Sequence, residues 1–271
     1  MTSFAVVYSK KDEAGVNIAE QLGKFFLPHV PILEFSKESV NLEEIDEKEE
    51  QLKKVDFIIF ATKHASKKGT RSLSLHAPGN WRNADFGGKV GKICSTSALA
   101  LKFLFEKLNE NAKLADWQDE ITLECTHHGP LIKKPCCFIE VGSDETGWKD
   151  KKAAEIIAKT IQEFQNFDKW KNDNRTRLKI ALAIGGPHYC PNFNRIQLSP
   201  NSGYAIGHIL PEYQFPLNES MITEAMEKTH EHLDRVIIDW KGCGNAESRD
   251  KVIALVEKLG LEYERTERIE K

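Results

Sequence analysis

Short apolar runs alternate with longer amphipathic stretches from one end of the chain to the other, and no other feature limits the fold as strongly. Residues 4–8 (FAVVY) predict a strand. Asp12 then caps a helix whose Ala14, Ile18, Leu22 and Phe25 fall on one face. Further strands are predicted over 55–60 (VDFIIF), 121–126, 137–142, 179–185 (KIALAIG), 204–210 (YAIGHIL) and 235–240 (RVIIDW), with a short one at 261–265. Helices are predicted over 95–109, 153–167, 219–232 and 246–259, and Gly260 ends the last. Mostly apolar strands are those covered on both faces of a sheet. The pattern therefore predicts an α/β layered fold built on a mixed, largely parallel sheet. A chain of 271 residues is long enough to bury a substantial core and to gather distant residues into one site. Loops 61–94, 127–136 and 186–203 are long and rich in Gly, Pro, Asn and His, as functional loops often are.

Charge narrows the choice of partners. The chain has 38 basic and 41 acidic residues, a net charge of −3, which excludes a globally basic nucleic-acid coat. A local patch remains open, because the field at a cleft depends on nearby groups. Lys63, Lys67, Lys68 and Arg71 stand together without an acid, and a second basic run spans 169–179. Residues 34–54 are acidic and read as a solvated connection without chemistry. No apolar run is long enough for a membrane span, and the start of the chain lacks the charge and length of a signal peptide. The six cysteines form no CxxC pair and read as reduced, buried small hydrophobes. Together these features predict a cytoplasmic protein.

The histidines carry the chemistry. His64, His127, His128 and His188 fall just past predicted strands, where open α/β sheets bind ligands. His76 and His208 lie in a neighbouring loop and at the far end of a strand. Imidazole titrates near neutrality and, when neutral, ligates zinc. Gly129-Pro130 forces a turn after His127-His128. Gly185 and Gly186 allow close approach of backbone to a ligand, and their amides could face an oxyanion. Trp81 could stack on a base or be core. Lys241 follows a strand and could meet a phosphate or a developing negative charge. Glu124 and Glu140 could be buried carboxylates that orient an imidazole. The GxGxxG, P-loop, GxSxG and HExxH motifs are all missing, which disfavours dinucleotide, ATP, serine-hydrolase and helix-borne zincin sites.

At these positions the chain resembles the archaeal and plant type of D-aminoacyl-tRNA deacylase. The matching stretches are FATKHASK (60–67), HAPGNW (76–81), FGGK (86–89), CTHHGP (125–130), FIEVGS (138–143), IGGPHYCP (184–191), AIGHILPEY (205–213) and IDWKG (238–242). Pro187 stands where the family more often has a third glycine, and proline removes an amide N–H.

The resemblance implies hydrolysis of the ester that joins a D-amino acid to the terminal ribose of tRNA. It implies a single three-layer α/β/α unit over residues 1–271, similar to peptidyl-tRNA hydrolase and nucleoside phosphorylase folds, with D-aminoacyl-tRNA as partner, a monomeric enzyme, and Zn2+, possibly two ions per chain. Carried onto this sequence, His127, His128, His188, Thr126 and Lys241 are the expected catalytic residues. His64, His76, His127 and His188 are the expected metal ligands. Lys63, Lys67, Lys68, Trp81, Gly185, Gly186 and Tyr189 are the expected substrate contacts. Two other readings of the histidines stay open: a zinc-dependent peptidase or amidohydrolase, and a non-catalytic tRNA-binding module.

Overall fold

The side chains of the first strand alternate between two apolar layers, and the rest of the fold follows from that alternation. In the computed structural model, which describes residues 1–66 and 69–270, strand β1 (Phe4–Ser9) sends Phe4 and Val6 to one side of a sheet and Ala5 and Val7 to the other. After it come α1 (Glu13–Leu22), β2 (Ile32–Phe35), the short helices α2 (Ile45–Lys48) and α3 (Glu50–Lys53), β3 (Phe57–Ala65), β4 (Ser72–His76), α4 (Ala98–Leu114) and β5 (Glu120–Leu123). The second half runs through β6 (Cys136–Ser143), α5 (Glu145–Trp148), α6 (Lys151–Glu163), α7 (Phe167–Asn174), β7 (Lys179–Ile184), α8 (Pro191–Leu198), β8 (Tyr204–Leu210), α9 (Glu219–Lys228), β9 (Arg235–Ile238), α10 (Ala246–Lys258) and β10 (Glu262–Arg265).

The strands form a largely parallel α/β architecture, as expected, but they divide between two sheets. One is six-stranded in the order β2-β1-β3-β6-β4-β5, and the other is four-stranded in the order β10-β9-β7-β8. All pairings are parallel except β4 with β6. Helix α4 lies between the sheets. Residues Ala98 to Phe105 are all buried, so this helix is apolar on nearly every side. It belongs to the larger apolar cluster, which reaches from Phe4 to Ile269 and includes residues of both sheets.

Several boundaries differ from the sequence reading. β4 lies inside the predicted loop 61–94, and α8 inside the predicted loop 186–203. β4 reads SLSLH, and its serines are buried beside polar groups of β6, so hydropathy alone passes over it. β2 is only four residues long at a sheet edge. The predicted helix 153–167 is two helices, α6 and α7, joined by a short turn. All six cysteines are free and buried, as expected.

The acidic stretch 34–54 is not simply solvated. Glu43 accepts from Gly88 N (2.7 Å) and Leu131 N (2.8 Å). Asp46 accepts from Lys133 N and Lys134 N, both at 2.9 Å. Its carboxylates tie down two loops that border the site.

Candidate active site

A cavity of about 740 Å³ opens where β3, β4, β5 and β7 end. Backbone bonds stitch the histidine-bearing loops together there. Gly79 N donates to His127 O (3.2 Å) and His128 O (2.7 Å), and Cys125 N donates to His188 O (3.0 Å). Loop backbones fastened this way hold their side chains in fixed positions. His128 has φ +46°, a left-handed conformation that side chains other than glycine rarely adopt.

Two buried carboxylates lie under the histidines. Glu140, on β6, accepts from Thr62 Oγ1 at 2.6 Å. Its second oxygen lies 3.5 Å from His64 Nδ1 and 3.6 Å from His76 Nε2. Glu124, just past β5, lies 2.9 Å from His188 Nε2, 3.2 Å from His64 Nδ1 and 3.5 Å from His127 Nε2. Tyr189 OH sits 3.0 Å from His64 Nε2. The opposite ring nitrogen of His188 touches Cys125 Sγ and Tyr213 OH, each at 3.4 Å.

The tautomers follow from the partners. A carbonyl oxygen only accepts, so a ring nitrogen beside one must carry the proton. His127 Nδ1 faces Cys125 O at 2.8 Å, His128 Nδ1 faces Gly129 O at 2.6 Å, and His76 Nδ1 faces Ala77 O at 3.2 Å. Each neutral ring is therefore protonated at Nδ1 and bare at Nε2. Carbonyls that fix the tautomer in this way are typical of metal-ligating histidines.

Electrostatics keep His127 and His128 neutral and the carboxylates charged. Burial, then the neighbouring imidazoles, push His127 well below its usual range, and burial and His76 push His128 down to about 4. Burial would raise Glu140, yet His64 and His76 beside it hold it well below the usual carboxylate range. Glu124 is likewise lowered, with His188 overcoming burial. Burial opposes charge on His188, but Cys125 and Glu124 together raise it to about 10.

The donor set fits a cation. His76 Nε2, Glu124 Oε1 and Glu140 Oε2 are buried with no hydrogen-bond partner. Buried polar atoms left in this way are costly, and a bound ion would satisfy them. Three groups have ligand atoms lying within 4.8 Å of one another: His64, Glu124, His127 and His188; His76, His127 and His128; and His76, Glu124 and Glu140.

A family profile described as D-aminoacyl-tRNA deacylase matches residues 51–264. The chain belongs to the D-aminoacyl-tRNA deacylase family. It is 35% identical to a D-aminoacyl-tRNA deacylase of Pyrococcus abyssi over 95% of this chain and 98% of that protein. It is 32% identical to one of Methanocaldococcus jannaschii over 97% of this chain and 99% of that protein. A crystal structure described as that of a conserved protein of unknown function superposes with a TM-score of 0.86 at 28% identity, covering 99% of this chain and 96% of that one.

The residues expected from the family separate into two groups. His64, His76, His127, His128 and His188 come together, and Lys63 and Tyr189 line the same cavity. The others lie elsewhere. Trp81 is in the core, and its indole donates to Ile209 O at 3.3 Å. Thr126 is buried and turned toward His208, with Oγ1 3.2 Å from Nδ1 of that ring, so neither residue faces the cavity. Gly185 N donates to Leu210 O, which uses the amide proposed for an oxyanion. Gly185 and Gly186 are instead packed against the segment 239–243, where a Cβ on Gly242 would sit 2.1 Å from Gly186 N. Lys241 is exposed and outside the cavity lining. Lys67 and Lys68 lie outside the described residues.

Sequence reasoning missed Asp12, Val40 and Phe86 as cavity residues. Asp12 was legible only as a helix cap, and it does accept from Gly15 N at 3.0 Å. Its second oxygen accepts from Lys63 N at 2.8 Å, which brings it to the cavity, and burial raises its carboxyl to about 6.

Proposed function

We propose that this cavity hydrolyses the ester between a D-amino acid and the terminal ribose of tRNA, releasing the free amino acid and tRNA. One observation carries the reading to these residues: His64, His127, His128, His188 and Glu140 line one cavity in a chain of this family, with His76 and Glu124 buried directly against them. A cation held by these donors would suit an ester whose carbonyl gains negative charge as water attacks.

We assign zinc as the metal, for which a set of imidazole and carboxylate ligands is suited. His64, Glu124, His127 and His188 would hold one ion, and His76 with Glu140 and the other oxygen of Glu124 a second. Zinc supplies Lewis acidity toward an ester carbonyl and eases ionisation of water. The chain's own groups do the rest. The bare Nε2 of His128 can accept a proton from the attacking water. Glu124 holds His188 and His64 in place, and Glu140 does the same for His76. Tyr189 fixes the far side of His64. The reading carries a monomeric enzyme in the cytoplasm, where tRNA is charged.

The test is release of D-tyrosine and of L-tyrosine from charged tRNA, with and without chelator. Fast D-release with little L-release is the expected result, and chelator should abolish it. Equal release of both isomers, or of neither, would refute the deacylase reading. A peptidase would instead cleave small amide substrates. D-release indifferent to chelator would remove zinc and leave the histidines.

A further inference from the structure

The loop after Trp81 presents an aromatic ring to water on a backbone that is tied down at every step. Phe86 is 73% exposed, yet it lines the mouth of the cavity. Its carbonyl accepts from Gly129 N at 2.8 Å, next to His128. Asn80 Nδ2 donates to Gly87 O at 2.9 Å, and Gly88 N donates to Glu43 at 2.7 Å. Gly87 has φ +70°, and a Cβ there would lie 1.7 Å from Val40 O. The two glycines thus let the loop press onto segment 40–43 and Gly129, and Phe86 is what the loop then holds out.

A single exposed apolar side chain is ordinary on a protein surface; what sets Phe86 apart is that it lines the cavity on a loop whose backbone is pinned beside His128. Lys89 is exposed on the same loop. A ring beside a cation is the pairing that binds unpaired nucleotides, through base stacking and phosphate attraction. The ester of an aminoacyl-tRNA joins the amino acid to its last nucleotide, so with the ester in the cavity the terminal base must lie at its mouth.

We propose that Phe86 is the stacking platform for the terminal base of the tRNA acceptor end, a binding role that the sequence assigned to Trp81 and that the core position of Trp81 forbids. This rests on the deacylase reading above. Stacking sets affinity for the nucleotide and leaves the ester chemistry to the histidines, so its loss falls on KM rather than kcat.

The experiment measures KM and kcat for D-tyrosyl-tRNA and D-alanyl-tRNA with Phe86→Ala, Phe86→Leu and Phe86→Trp. Phe86→Ala should raise KM about tenfold, the order expected for one lost base stack. The rise should be the same for both amino acids, because the base is common to them. Phe86→Trp should keep the parental KM, and Phe86→Leu should behave as Phe86→Ala. A rise confined to D-tyrosyl-tRNA would overturn the proposal and make Phe86 a contact for the amino-acid side chain. Full rescue by Leu would reduce it to general apolar cover, and unchanged KM in every variant would remove the platform. If the parent released no D-amino acid from either substrate, the deacylase reading itself would fail, which is a different result.

Discussion

Glu124 Oε2 lies 2.9 Å from His188 Nε2, although the two residues are 64 positions apart. The carboxylate is fully buried and also faces His64 and His127, so it contacts three of the ligand candidates at once. Glu124→Gln keeps its shape and removes its charge. A ligand that also orients its neighbouring imidazoles should matter at least as much as the outer groups whose loss typically changes activity by 10- to 100-fold. Glu124→Gln should therefore lower kcat/KM by at least about tenfold and reduce bound zinc. Parental kcat/KM together with parental zinc content would show that Glu124 has no part in the site.

Zinc should stabilise the folded chain as well as activate it. His76 Nε2, Glu124 Oε1 and Glu140 Oε2 are buried without a hydrogen-bond partner. A ligand bound only to the folded state at a hundred times its Kd stabilises by about 2.7 kcal/mol. Thermal unfolding with zinc should thus occur several degrees above that with chelator. His76→Ala removes a ligand from two of the three groups and should shrink this gap. A Tm indifferent to zinc would mean that something else satisfies the orphaned atoms.

The site histidines were legible because chemistry at strand ends leaves a local trace. His64, His127 and His188 follow apolar runs, and Gly129-Pro130 marks a turn. Their grouping is a long-range fact that no local pattern contains, and the two carboxylates were found only as candidates. The misassigned residues share one physical cause. Trp81, Thr126 and Gly185 have the right chemistry, but their polar atoms are already committed, to Ile209 O, His208 and Leu210 O respectively. A sequence shows a residue's donors and not whether they are spent. Phe86 is the converse case: an ordinary apolar residue whose meaning comes from being left in water.

His208 predicts part of the acid limit of stability. Its Nε2 faces Lys228 O at 3.3 Å and so carries the proton, while Nδ1 takes the hydroxyl proton of Thr126. Burial pushes the ring down to about 4. Unfolded, it titrates near 6.5. Above pH 6.5 neither state is protonated and the group costs nothing. As pH falls from about 6.5 to 4 only the unfolded chain takes up the proton, so stability falls. The loss is about 3 kcal/mol over that window, at 1.36 kcal/mol per pH unit. His208→Gln can still donate to Lys228 O but does not titrate. Its urea midpoint should therefore drop less between pH 7.5 and pH 4.5 than that of the parent. Equal drops in the two proteins would assign the acid sensitivity to other groups.

Gly87 tests whether the Phe86 loop is built or merely present. A positive φ of +70° already disfavours alanine there, and the Cβ would collide with the backbone carbonyl of Val40 rather than with a side chain that could swing away. Alanine at such a position destabilises by more than the usual gain of about 0.4–1 kcal/mol from reduced chain entropy. The loop has two ways to respond. If it stays docked, the strain appears as a lower Tm with little change in KM. If it lifts off segment 40–43, it loses the Gly88–Glu43 bond, and Phe86 moves from the cavity mouth. The hydrogen bonds on both sides of Gly87 favour the second outcome only when the strain exceeds their combined worth, about 1 kcal/mol each. The contact of 1.7 Å is far inside any tolerable approach, so lifting should win. Gly87→Ala should therefore raise KM for D-aminoacyl-tRNA by about as much as Phe86→Ala while also lowering Tm, and the double variant should raise KM no further. An additive KM effect in the double variant would mean that the glycine supports the site by a route independent of the ring.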